Sequence, residues 1–157
     1  MGEVFLARDT RLDRQVAIKA LPALSPDGRL LAFTSEESGK ARTWVAEMRT
    51  GGDAGRPAQV KTAPSVRHAW GSDGKSLFIQ DERGRLLKTD ISPGSPPSAS
   101  APVEVADLEK LRILNWAPLP DGRFLVMLKG EGEDGIKRYD MVMNWTTILE
   151  ERVPATK

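Results

Sequence analysis

One short motif occurs three times in this chain, and that repetition limits the fold more than any single element does. Ser25-Pro26-Asp27-Gly28-Arg29 leads into Leu30-Leu31-Ala32-Phe33-Thr34. Trp70-Gly71-Ser72-Asp73-Gly74-Lys75 leads into Ser76-Leu77-Phe78-Ile79, and Trp116-Ala117-Pro118-Leu119-Pro120-Asp121-Gly122-Arg123 into Phe124-Leu125-Val126-Met127. The aspartates Asp27, Asp73 and Asp121 lie 46 and 48 residues apart. A period of roughly 40 to 50 residues is what a blade of four short strands produces. The expected fold class is therefore all-β: a partial β-propeller of about three four-stranded antiparallel blades.

Each unit reads alike. In the first, Ala23 to Ser25 enters the turn, and Leu30 to Thr34 forms a buried strand. Thr43 to Met48 alternates Trp44, Ala46 and Met48 on one face, and Ala58 to Lys61 is the outer strand. The second unit has Val66 to Trp70, Leu77 to Gln80, Arg85 to Ile91 and Pro102 to Ala106, with Ser92 to Ser100 read as a polar loop bulging from the rim. The third has Arg112 to Trp116, Phe124 to Lys129 and Ile136 to Met143. Trp145, Ile148, Leu149 and Arg152 follow at helical spacing, with Asn144 as N-cap and Pro154 as the stop, so a short C-terminal helix is expected.

Charge and composition narrow the partners. Lys and Arg number 23 against 22 Asp and Glu, which leaves no bulk field to draw nucleic acid or anionic lipid. The absence of cysteine excludes disulfides and thiolate metal sites. No run approaches the ~18 apolar residues of a membrane span, and the first residues lack a signal-peptide pattern. The expected location is the cytoplasm.

Residues 1–22 stand apart from the repeats. Gly2-Glu3-Val4-Phe5-Leu6-Ala7-Arg8, a polar turn, and Gln15-Val16-Ala17-Ile18-Lys19-Ala20 form a hairpin pattern. This segment resembles the start of a bacterial serine/threonine protein kinase, where a Gly-rich loop precedes a strand ending in Val-Ala-Ile-Lys. The resemblance makes Gly2 the last loop glycine, Val4 the residue covering adenine and Lys19 the phosphate-pairing lysine, so Val4 and Lys19 are the candidate ATP contacts. No stretch reads as His-Arg-Asp with its asparagine, or as Asp-Phe-Gly, so no catalytic residue is assigned. The alternative is that Lys19 is a solvated strand-end lysine. Residues 23–153 resemble the blades of TolB-type propellers, which are similar in shape to WD-repeats. The two resemblances imply two units, a kinase-lobe remnant at 1–22 and a partial propeller at 23–157.

The remaining candidates each carry two readings. Trp70 and Trp116 either pack blade on blade or form a recognition site, and Leu24, in the tryptophan's place in the first unit, suits packing. Asp27, Asp73 and Asp121 are turn residues or acid and calcium ligands; each is followed by glycine, which favours the turn. His68 is read as a satisfied or exposed strand histidine, with no Ser-His-Asp set to join. No metal site and no cofactor are assigned, ATP entering only under the kinase reading. The expected function is a non-catalytic module binding protein or small ligand at its propeller loops, with self-association through open blade faces. The alternatives are a kinase by descent, or the propeller of a prolyl-oligopeptidase-type hydrolase. Because three blades leave end faces open, the hairpin is expected to pack on one end of the arc.

Overall fold

The structure is a computed structural model that describes residues 4–9, 14–19, 22–36, 39–50 and 52–129, the first two segments by their backbone. Strands β1 (Val4–Asp9) and β2 (Arg14–Lys19) pair antiparallel as a hairpin. A four-stranded antiparallel sheet follows, built in sequence order from β3 (Ala23–Leu24), β4 (Leu30–Ser35), β5 (Arg42–Glu47) and β6 (Ala58–Gln59). The second sheet contains β7 (Ser65–Trp70), β8 (Ser76–Asp81), β9 (Arg85–Ser92), β10 (Ser98–Ala99) and β11 (Val103–Asp107). The third pairs β12 (Ile113–Pro118) with β13 (Phe124–Leu128). The all-β expectation holds, and no described residue is helical. The strand expected at 136–143 and the helix at 144–153 lie outside the described residues.

The three expected turns form at the expected places. In each, the glycine N–H donates to the carbonyl three residues back: Gly28 to Ser25 at 2.8 Å, Gly74 to Gly71 at 3.1 Å and Gly122 to Leu119 at 3.1 Å. Gly28, Gly74 and Gly122 have φ of 70°, 66° and 83°, a conformation that costs a residue with a Cβ roughly 1–2 kcal/mol. Each turn is closed by a second bond, from Ser25 N–H to Leu30 O, Gly71 N–H to Ser76 O and Leu119 N–H to Arg123 O. The third turn is one residue shorter than the other two.

Those closing bonds set a common register. Leu24 pairs with Leu31, Trp70 with Leu77 and Pro118 with Phe124. Pro118, not Trp116, therefore occupies the place of Trp70, and Trp116 occupies that of His68. The shift is two residues, one full side-chain period, so Trp116 stays on the same face of its strand as Trp70 does on its own.

Stacking of the sheets follows from that alternation. Leu30, Ala32, Val45 and Val60 of the first sheet and its flank meet Trp70, Leu77, Ile79 and Ile91 of the second. The opposite side of the second sheet contributes Leu86, Ala106 and Leu108, with Phe78 beside them, to a cluster with Trp116, Phe124 and Val126 of the third. Phe78 and Phe124 meet edge to face, their ring centroids 4.9 Å apart. The middle sheet is thus apolar on both faces, and each fully buried aliphatic or aromatic side chain contributes about 1.5–3 kcal/mol before entropy is counted.

Two departures have local causes. The Ser92–Ser100 stretch, expected as a loop, includes β10, whose Ser98 and Ala99 pair with Ser92 and Ile91. Strand β11 covers β9 only from Arg85 to Lys88, which leaves the far half of a long strand with open backbone groups that β10 fills. The second departure is Leu24, which is 56% exposed whereas Trp70, its register equivalent, is 8% exposed. The expected packing role of Leu24 is therefore not met within the described residues. Strand β2 runs beside β4 without covering that side chain.

Candidate functional site

At the open end of the hairpin, Val4 and Lys19 are direct Cα partners across β1 and β2. The two candidate nucleotide contacts from the sequence are therefore brought to one register position, at the end of the hairpin away from the Asp9–Arg14 pair. The loop position Gly2 lies outside the described residues.

A second assembly is the rim made by the three turns. Ser72 Oγ donates to Pro120 O at 2.9 Å, which ties the second turn to the third, and a Cβ on Gly74 would meet Asp27 Cγ at 3.9 Å, which places the first turn against the second. Within this row each aspartate is held by its own turn. Asp27 Oδ1 accepts from Ser25 Oγ at 2.6 Å and Arg29 N–H at 3.2 Å. Asp73 accepts from Lys75 N–H, Ser76 N–H and Ser76 Oγ at 2.9, 2.8 and 2.6 Å. Asp121 accepts from Arg123 N–H at 3.1 Å and from its Nε at 2.6 Å.

All three carboxyls are pulled below the usual aspartate range. Asp27 is lowered first by the Ser25 hydroxyl and then by the Arg29 N–H, and Asp121 by the Arg123 side chain and N–H. For Asp73, partial burial acts upward, and the Ser76 hydroxyl with the Ser76 and Lys75 N–H groups outweighs it. Groups that donate to the charged form hold it charged, so these are turn-building carboxylates, as the glycine after each one suggested. Among the described residues no three His, Asp or Glu side chains gather as a metal cluster.

The third assembly is a polar seam between the sheets. His68 Nε2 lies 3.2 Å from Ala32 O, and because a carbonyl can only accept, this nitrogen carries the proton. Its Nδ1 lies 3.3 Å from the Thr34 hydroxyl, within hydrogen-bond reach. At the next junction Trp116 Nε1–H donates to Gln80 Oε1 at 2.9 Å. By register Trp116 stands where His68 does, and Gln80 stands where Thr34 does, so the two junctions use one contact with different chemistry. Trp70 Nε1–H adds a bond to Ala23 O at 2.8 Å. Both tryptophans and His68 are buried, which fits packing rather than recognition for the indoles and a satisfied histidine at 68.

Two groups in this region gave no signal in the sequence. Arg67 lies over the Trp116 ring at 5.1 Å, and burial draws its pKa below the ordinary guanidinium value. Asp81, wholly buried, accepts from the N–H groups of Arg83 and Arg85 and holds the Arg85 guanidinium at 2.6 Å. Neither pair follows from local spacing alone, because the first joins strands of different sheets and the second depends on a burial that the polar turn Asp81 to Arg85 does not announce.

Among the described residues no helix is long and apolar enough to cross a membrane. No family model matches the chain, and no solved structure matches it. The chain is 31% identical over 91 residues to a Bacillus subtilis (strain 168) protein named uncharacterized peptidase YuxL. That match covers 58% of this chain and 14% of the relative, so the chain corresponds to a small part of that protein's length.

Proposed function

We propose that residues 23–129 are successive blades of a TolB-type β-propeller and that the chain serves as a non-catalytic module, binding a protein or small ligand at its loops. The observation that carries this reading is the repeated junction, His68 on Thr34 and Trp116 on Gln80, in which each sheet meets the next at the same register. Sheets stacked by one repeated contact are what a propeller requires. A rigid stack with a continuous rim of turns is a scaffold on which loops can carry recognition. Propeller sheets accompany hydrolase domains as well as kinases, and the relative's name, a peptidase, supports a hydrolase parent. The reading of residues 1–22 as a kinase-lobe remnant is supported by the pairing of Val4 with Lys19, which sets the two nucleotide-contact positions together.

One pair of assays separates the readings. The purified chain should neither hydrolyse aminoacyl-peptide substrates nor transfer phosphate from ATP and magnesium to a protein acceptor. Turnover in either assay would overturn the non-catalytic reading. A calorimetric titration with ATP whose heat disappears in Lys19→Met would favour the kinase descent of residues 1–22, and the absence of heat would favour the solvated-lysine reading.

A further inference from the structure

Strands β7 and β12, neighbours at the junction of the second and third sheets, carry the same irregularity at the same register. Counted from the pair next to each turn, Trp70 with Leu77 and Pro118 with Phe124, the fourth pair is Arg67 with Gln80 on one strand and Asn115 with Met127 on the other. The residue before that pair has no Cα partner: it is Val66 on β7 and Leu114 on β12. A bulge of this kind turns a side chain off the face that alternation would give it. Val66 is 61% exposed and Leu114 47% exposed. One aliphatic group in water is ordinary, whereas two at one register of adjacent strands are a repeated feature.

Each bulge is followed by a side chain with N–H groups to spare. Arg67 is half-buried over the Trp116 ring at 5.1 Å, and among the described residues no hydroxyl, carbonyl or carboxylate accepts from its guanidinium. Burial alone draws its pKa down, with no carboxylate acting the other way. Trp116 is itself fixed by its bond to Gln80, the Cα partner of Arg67, so the guanidinium rests on a held platform. Asn115 is exposed, and its Oδ1 accepts from the Trp116 N–H at 2.9 Å, because a backbone N–H can only donate. Its amide NH2 is left as a donor with no acceptor among the described residues.

We infer that this junction binds a small monocarboxylate with a branched aliphatic body, the Arg67 fork taking the carboxylate, the Asn115 amide donating to it, and Val66 and Leu114 meeting the aliphatic part. One guanidinium balances one negative charge, and its planar fork matches a carboxylate in two parallel bonds. The aliphatic pair beside it favours an apolar body over a strongly hydrated dianion such as phosphate. The inference names a ligand class for the non-catalytic binding module proposed above and rests on that reading.

The test is a titration of the full 157-residue chain followed by proton–nitrogen correlation spectra, read at the Arg67 Nε–H and the Asn115 amide. The probes are N-acetylleucine, which presents the group as a peptide C-terminus, isovalerate, which presents it as a free acid, and N-acetylleucinamide, which lacks the charge. N-acetylleucine is expected to give a saturable shift at both groups with a dissociation constant of about a millimolar, and N-acetylleucinamide none. An equal response to isovalerate identifies a free acid as sufficient, and a weaker one identifies the peptide terminus. Arg67→Gln should weaken binding by about tenfold or more, with Arg67→Lys between it and the parent because it keeps the charge and loses the fork. Leu114→Asp, at an exposed position, should weaken it similarly if Arg67→Gln disturbs folding, which far-UV spectra and melting report.

No saturable shift with either acid, an equal shift with N-acetylleucinamide, or binding that both Arg67→Gln and Leu114→Asp leave intact would each overturn the site. Those results leave the module reading standing, whereas turnover in the peptide or ATP assay above removes that reading while the titration still reports on the site.

Discussion

At the scale of single residues, the Asp-Gly turns decide where each sheet begins. The glycine supplies a positive φ that other residues adopt at a cost, and Gly74→Ala should lower stability by about 1–2 kcal/mol, measured by urea denaturation. Nothing closer than 3.9 Å would meet the added methyl, so the loss would report backbone strain rather than a clash. The three aspartates make a separate prediction. Their folded pKa values lie below the unfolded value near 4, so the stability they contribute is present above that value and is lost as pH falls through the folded ones. The melting temperature should hold above about pH 5 and fall below about pH 4, with a shallower fall in Asp73→Asn. An equally steep fall in that variant would show that Asp73 does not take part. These turns were legible in the sequence because Pro, Asp and Gly act locally, through φ and through bonds within a few residues. The seam through His68 was not, since Thr34 lies 34 residues away.

Among the elements, strand order and pairing followed from alternation, and the exceptions show where alternation says too little. Trp116 looked like the partner of Trp70, yet it stands five residues before its turn aspartate against three for Trp70, which sets it two residues farther along its strand, on the register of His68. A two-residue slip preserves the face, so the sequence pattern could not distinguish the two placements. Strand β10 escaped notice because Ser98 and Ala99 pair through backbone groups on an open edge and bury little. Strands β7 and β12 share a further feature, a register shift next to Val66 and Leu114, and both of these residues are exposed. The energetic contrast is between that bulge and the seam. Trp116→Ala empties a site in contact with Phe124 and should cost about 3–5 kcal/mol, whereas Val66→Ala should stay within about 0.5 kcal/mol. Equal losses in thermal denaturation would contradict the assignment of Trp116 to the second junction.

For the whole molecule, the second sheet couples the other two, since its opposite faces carry separate clusters. In a stack of this kind stability is close to a sum over sheets and junctions, and each end behaves differently from the middle. Deleting residues 1–22 removes the hairpin whose β2 runs beside β4, and a lower or broader melting transition is expected. An unchanged transition would show that the hairpin lends the first sheet no support. The repetition of one junction is more telling than either junction alone, and it can be read in solution by proton nuclear Overhauser effects in the unmodified chain. The His68 ring should give cross-peaks to the Thr34 methyl, and the Trp116 indole N–H to the Gln80 side chain, in the same spectrum. Cross-peaks at only one junction, or from the Trp116 indole N–H to residues outside the second and third sheets, would contradict the repeated stacking.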